Sequence, residues 1–177
     1  HRVAGDERYL VPARSAVGFF LNGLRVLWDT HDELCLGYMP LPMSMRVMDV
    51  SILIAAVLAA LAALEGDGTL RRTALRLTRY VVRRQTAEGA WYYTDPPEDS
   101  PVKIDNYHTG FILDALDRVT TTLALDEWRE QYCRGATFYA KHLFNADGAP
   151  RWMSDKDYPH DIHGAAQGVL TFSQPDN

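Results

Sequence analysis

Cysteine is almost missing from this chain. Its two copies in 177 residues, Cys35 and Cys133, can neither frame a disulfide scaffold nor supply metal-ligand spacing. A reducing, cytoplasmic compartment suits them. Lysine is also scarce, with three copies against fifteen arginines, and the net charge is −5 with acidic residues spread throughout. No basic stripe could follow a phosphate backbone, so nucleic acid is excluded as a partner. The longest uncharged apolar run, Val50 to Leu64, is bounded by Asp49 and Glu65. It falls short of the roughly 20 residues a bilayer span needs and reads as a buried helix. No secretory pattern leads the chain, which opens on His1 as a tag remnant or cut end would. No stretch alternates as a strand.

What is present is helical periodicity. The spacing predicts six helices: about Pro12 to Trp28, Val47 to Leu64, Thr69 to Gln85, Asn106 to Thr121, Asp126 to Phe144, and His160 to Phe172. The second is apolar all round, as a helix surrounded by protein must be. The third sets Leu70, Leu77 and Val81 against Arg72, Arg76, Arg79 and Arg83, and reads as an outer, amphipathic helix. The fold class is all-α.

A repeat organises these elements. Three times a loop with glycine and aromatics leads into a polar first turn: Asp49-Val50-Ser51, Asn106-Tyr107-His108 and Asp161-Ile162-His163. Buried and charged helices alternate between the copies. That is the grammar of an α/α toroid, with inner helices packed on all sides and outer helices facing water. One domain, residues 1–177, is expected to form an arc of such a toroid. Three hairpins do not close a ring, so a second subunit or further residues should complete it and cover the apolar faces of the first helix (Phe19, Phe20, Leu24) and the last (Val169, Leu170, Phe172).

In that architecture the inner-helix N-termini collect at one face, where free N–H groups and positive dipole ends favour anions. His108 is the natural acid or base there. Tyr107 would be its proton partner, Asn106 a carboxyl binder, and Asp161 with His163 an auxiliary dyad. Around them Trp91, Tyr92, Tyr93, Asp105, Arg151, Trp152, Tyr158 and His160 mix aromatic faces with polar groups, a combination that suits sugar rings. Each also has a plainer reading, as core aromatics, helix caps and buried histidines. His160 and His163 stand three apart, but no metal signature accompanies them, and no metal or other cofactor is expected. Neither an Asp-rich diphosphate motif nor a zinc set around Cys133 is present.

Three stretches resemble a poorly characterised bacterial family encoded among exopolysaccharide-biosynthesis genes: Asp105 to Phe111, Asn145 to Met153, and Tyr158 to Gly168. Family members are longer, and the likeness implies polysaccharide metabolism. Some carry the label δ-aminolevulinic acid dehydratase, but that enzyme is a β/α barrel with a Schiff-base lysine, which the helical pattern and three lysines here do not fit. A fainter likeness is to α/α-toroid polysaccharide lyases, where Asn neutralises a uronate carboxylate and His or Tyr removes the C5 proton. Their Asn-Asn-His motif is interrupted here by Tyr107.

The expected function is therefore a carbohydrate-active enzyme abstracting a proton from an acidic glycan, as a lyase or epimerase. The rivals are a glycoside hydrolase using Asp105 and Asp161 as its carboxyl pair, and a non-catalytic toroid that binds glycan or scaffolds its synthesis.

Overall fold

The computed structural model describes residues 6–100 and 102–173. Six helices carry the fold: α1 (Leu10–Gly23), α2 (Met48–Glu65), α3 (Gly68–Val82), α4 (Asn106–Leu123), α5 (Arg129–His142) and α6 (Ile162–Phe172). Four short strands join them: β1 (Val26–Asp29), β2 (Leu34–Leu36), β3 (Arg46–Val47) and β4 (Thr94–Asp95).

The α2–α3 hairpin shows how local sequence sets the architecture. Gly66 ends α2 in the left-handed region at φ 70, its N–H donating to the Ala62 carbonyl. One residue later, the Asp67 carboxylate accepts from the N–H groups of Thr69 and Leu70 at 2.7 and 3.0 Å and starts α3. Termination and capping on adjacent residues fold the two helices back on each other. Leu77, Tyr80 and Val81 of α3 are buried against α2, whose Ile52, Ala55, Leu58 and Ala59 are fully enclosed.

The three inner helices run the same way. The Met48 N–H at the start of α2 donates to Tyr93 O in the loop leading to α4 (2.9 Å). At the far end Ala62 and Ala63 of α2 line one pocket with Thr122 and Leu123 of α4. Along α4, Asn106 lies against Gly164 and Gly110 against Gln167. One turn further, Asp114 accepts from Gln167 Nε2 (2.8 Å) and Thr171 Oγ1 (3.0 Å) of α6.

Several expectations need correcting. The first helix stops at Gly23, and Trp28 belongs to β1, which pairs antiparallel with β2 through Trp28↔Cys35 and Asp29↔Leu34. An ion cluster holds that ladder: Glu33 accepts from Arg83, Arg84 and the Trp28 indole at 3.0–3.1 Å, and Arg46 and Arg84 lie over the Trp28 ring. Arg83 and Arg84 sit 50 and 51 residues from Glu33, beyond the reach of a local pattern. β3 and β4 form a second two-stranded ladder. The fifth helix is trimmed at both ends, because Asp126 and Trp128 form a turn before it.

The apolar helix α2 is not wholly enclosed either: Leu53 and Val57 remain about 40% exposed. They border a groove of about 860 Å3 between α1, α2, α4 and α6, together with Val17, Phe111 and Leu170. α2 is long and apolar enough to cross a membrane by composition, but it packs on α3 and α4. Of the end faces expected to lack cover, Phe19, Val169, Leu170 and Phe172 are exposed, while Leu24 is buried. Exposure along α6 makes it less buried than an inner helix of a closed ring.

Candidate functional site

The N-termini of α2, α4 and α6 do meet at one face, and the chemistry is concentrated on α4. Asp105 is its N-cap, 2% exposed. Its Oδ1 accepts from the His108 backbone N–H (3.0 Å), and its Oδ2 lies 2.7 Å from His108 Nδ1. One carboxylate thus caps the helix and fixes the imidazole one turn on, because i and i+3 share a helix face. With Nδ1 committed, Nε2 is the nitrogen left to exchange a proton.

Aromatic rings enclose that imidazole. Tyr107 and Tyr93 lie 4.1 and 4.4 Å from it, centroid to centroid, and Phe111 lies 6.0 Å away. Trp152 and His163 are 6.4 and 6.0 Å from Tyr107. Phe111 also lines the large groove. Burial pushes the Tyr93 hydroxyl up to about 12, with the Asp49 carboxylate adding to the effect. Burial, then Asp105 and Asp161, also raise Tyr107. Both phenols therefore remain proton donors at neutral pH.

Asp161 caps α6, accepting from the His163 N–H at 2.9 Å, and the same oxygen lies 2.9 Å from His163 Nδ1. Those bonds hold Asp161 below the usual carboxylate range. The pair repeats the α4 arrangement in a wetter setting, since the His163 side chain is 73% exposed.

Other expected residues sit elsewhere. Asn106 is buried, its Nδ2 donating to Leu143 O (2.5 Å) and its Oδ1 accepting from the Tyr139 hydroxyl (3.0 Å). It ties α4 to α5, with both ends of its amide engaged inside the protein. Trp91 is 1% exposed, donates to Val81 O and packs on Gly135, so it is core. His160 pairs with Asp157 and stacks on Tyr158 rather than meeting His163. Tyr92 is half-buried in the loop before α4. Arg151 anchors its loop through the backbone, while its buried Nε has no partner. Among the described residues no three His, Cys, Asp or Glu side chains converge as a metal site.

One residue escaped the sequence reading. Asp49, in the first turn of α2, is 5% exposed and its Oδ1 accepts no hydrogen bond. Burial raises its carboxyl above the usual range; His108 offsets this and Asp105 reinforces it. An orphaned buried oxygen costs roughly 1–3 kcal/mol. The signal was present, in that Asp49 belongs to the repeat, but nothing local shows that it points inward.

No protein-family model and no curated protein sequence matches the chain. Among solved structures, it is similar to an unsaturated glucuronyl hydrolase responsible for the degradation of glycosaminoglycan, from Bacillus sp. GL1. The TM-score is 0.66 at 16% identity, covering 98% of this chain and 53% of that one. The fold is an arc of an α/α toroid. The arc spans about half the length of that neighbour, and the link to exopolysaccharide genes gains no support. Within the arc the repeat register also becomes clear. The Met48 N–H bonds Tyr93 O, and the Asn106 N–H bonds Trp152 O. Met48 therefore matches Asn106, one residue off the alignment of Asp49 with Asn106.

Proposed function

We propose that this arc carries the proton-transfer site of a carbohydrate-active enzyme, of lyase or epimerase type, acting on an acidic glycan. The observation that carries the reading is the Asp105–His108 pair in the first turn of α4, with its Nδ1–Oδ2 distance of 2.7 Å. Asp105 orients the ring and would stabilise the imidazolium formed when Nε2 takes a proton. Tyr107, kept protonated by burial and neighbouring carboxylates, is placed to return one. Trp152 and Tyr93 offer ring faces for the sugar's C–H surface. The glucuronyl hydrolase with the same fold is consistent with a glycan substrate.

The hydrolase rival is less well served by its expected pair. Asp105 has both oxygens bonded to His108, and Asp161, bonded through one oxygen to His163, is held below the usual carboxylate range, which disfavours it as an acid on a leaving group. A test is to incubate the protein with uronic-acid glycans, following absorbance at 235 nm for elimination and deuterium uptake at C5 for epimerisation. Either signal, lost in His108→Ala, supports the reading. Release of reducing ends with neither signal would replace it with hydrolysis.

A further inference from the structure

Asp49 is unexplained by the reading above. A carboxylate in a helix's first turn commonly complements the dipole, and its oxygens are then satisfied by N–H groups. Here the N–H groups of Asp49 and Val50 act on the carboxylate, yet Oδ1 accepts nothing and is sealed from water. The residue is also tied to the site. The N–H of the preceding residue, Met48, donates to Tyr93 O, and the Tyr93 ring lies 4.4 Å from that of His108. The groups acting on it electrostatically are His108 and Asp105, and it acts in turn on Tyr93 and Tyr107. An acceptor that lacks a donor, beside a proton-transfer pair and among rings suited to a sugar, has the chemistry of a hydroxyl-binding position.

We propose that Asp49 is a substrate-binding residue of this site, its carboxylate turning so that the oxygen now closed off and unpaired accepts a hydrogen bond from a hydroxyl of the sugar whose proton His108 exchanges. This rests on the glycan reading of the site. It adds that the glycan presents a free hydroxyl edge to α2, while its carboxyl group lies away from Asp49 and Asp105, whose charges would repel it. Specificity follows from the unmet acceptor: a sugar with that hydroxyl masked leaves Oδ1 orphaned and is rejected.

The test uses a galacturonic-acid trisaccharide, the same trisaccharide O-acetylated on its ring hydroxyls, and the parent and Asp49→Asn proteins. Calorimetry should show the parent binding the free trisaccharide at least 10-fold more tightly than the acetylated one, with Asp49→Asn reducing that preference to 3-fold or less. Urea unfolding without sugar should show Asp49→Asn as stable as the parent or more so, because the change removes a buried charge that has no partner. A variant that is less stable and keeps the preference marks Asp49 as structural and overturns the proposal. So does a stable variant that keeps the preference. A parent that binds neither trisaccharide removes the glycan reading itself, which differs from a parent that binds both equally and sinks the Asp49 assignment alone.

Discussion

Asp105 and His108 face each other across the first turn of α4, Oδ2 to Nδ1 at 2.7 Å, with the same carboxylate capping the helix through the His108 N–H. The reactive orientation of the imidazole is therefore built into the start of an inner helix rather than left to a mobile loop. Asp161 and His163 repeat the device at the start of α6.

If Nε2 of His108 is the base, His108→Ala should lower turnover by about 100-fold or more. The far-UV spectrum and urea midpoint should stay close to the parent's, because the side chain is only partly buried and its helix keeps the Asp105 cap. Full activity on an identified substrate would take His108 out of the mechanism.

Asn106→Ala should behave differently. It removes the buried bonds to the Tyr139 hydroxyl and to Leu143 O, which keeps the Arg151 N–H, at a cost of about 1–3 kcal/mol. Equilibrium unfolding should show that loss, with substrate affinity unchanged at temperatures where the variant is folded. A selective loss of affinity would restore the carboxyl-binding role.

Gly110 faces α6. A methyl group there would run into the Gln167 side chain and lie 2.9 Å from the Tyr139 hydroxyl. Gly110→Ala should therefore destabilise by about 1–3 kcal/mol through overpacking, and a melt showing no change would mean that α4 and α6 are less closely packed.

Trp91→Ala, by the same logic, should cost about 3–5 kcal/mol as a core truncation. Trp152→Ala should weaken glycan binding instead. Titrating both variants with a bound glycan separates the core aromatic from the site aromatic.

The ion cluster makes an acid prediction. Burial raises the Asp95 carboxyl, but hydrogen bonds from Arg84 and Tyr80 outweigh it and leave the group below its ordinary range. A depressed folded value contributes stability that is fully present above the unfolded value, about pH 4, and is lost as pH falls through the folded one. The urea midpoint should decline below about pH 4, and Asp95→Asn should flatten that decline. An unchanged slope would assign the acid sensitivity to other carboxylates.

The sequence by itself determined the helices and their alternation, because periodicity and capping are local. The Gly66-Asp67 turn, the amphipathic α3 and the polar first turns of α4 and α6 are legible from neighbouring residues alone, as is His108 beside Asp105. Only the tertiary structure decided which of these groups is available. Asn106 and Trp91 look like ligand groups in sequence, yet Leu143, Tyr139 and Val81, each distant along the chain or on another element, consume their polar atoms. Asp49 looks like an ordinary helix-start acid, and only the packing of α2 against the α4 loop leaves its oxygen buried without a partner. Trp28 was lost to a strand for the same reason, since Arg46 of β3 and Arg84, just past α3, settle its place. A hydrogen bond is satisfied by whichever group arrives in space, and that is fixed by long-range packing that no local pattern encodes.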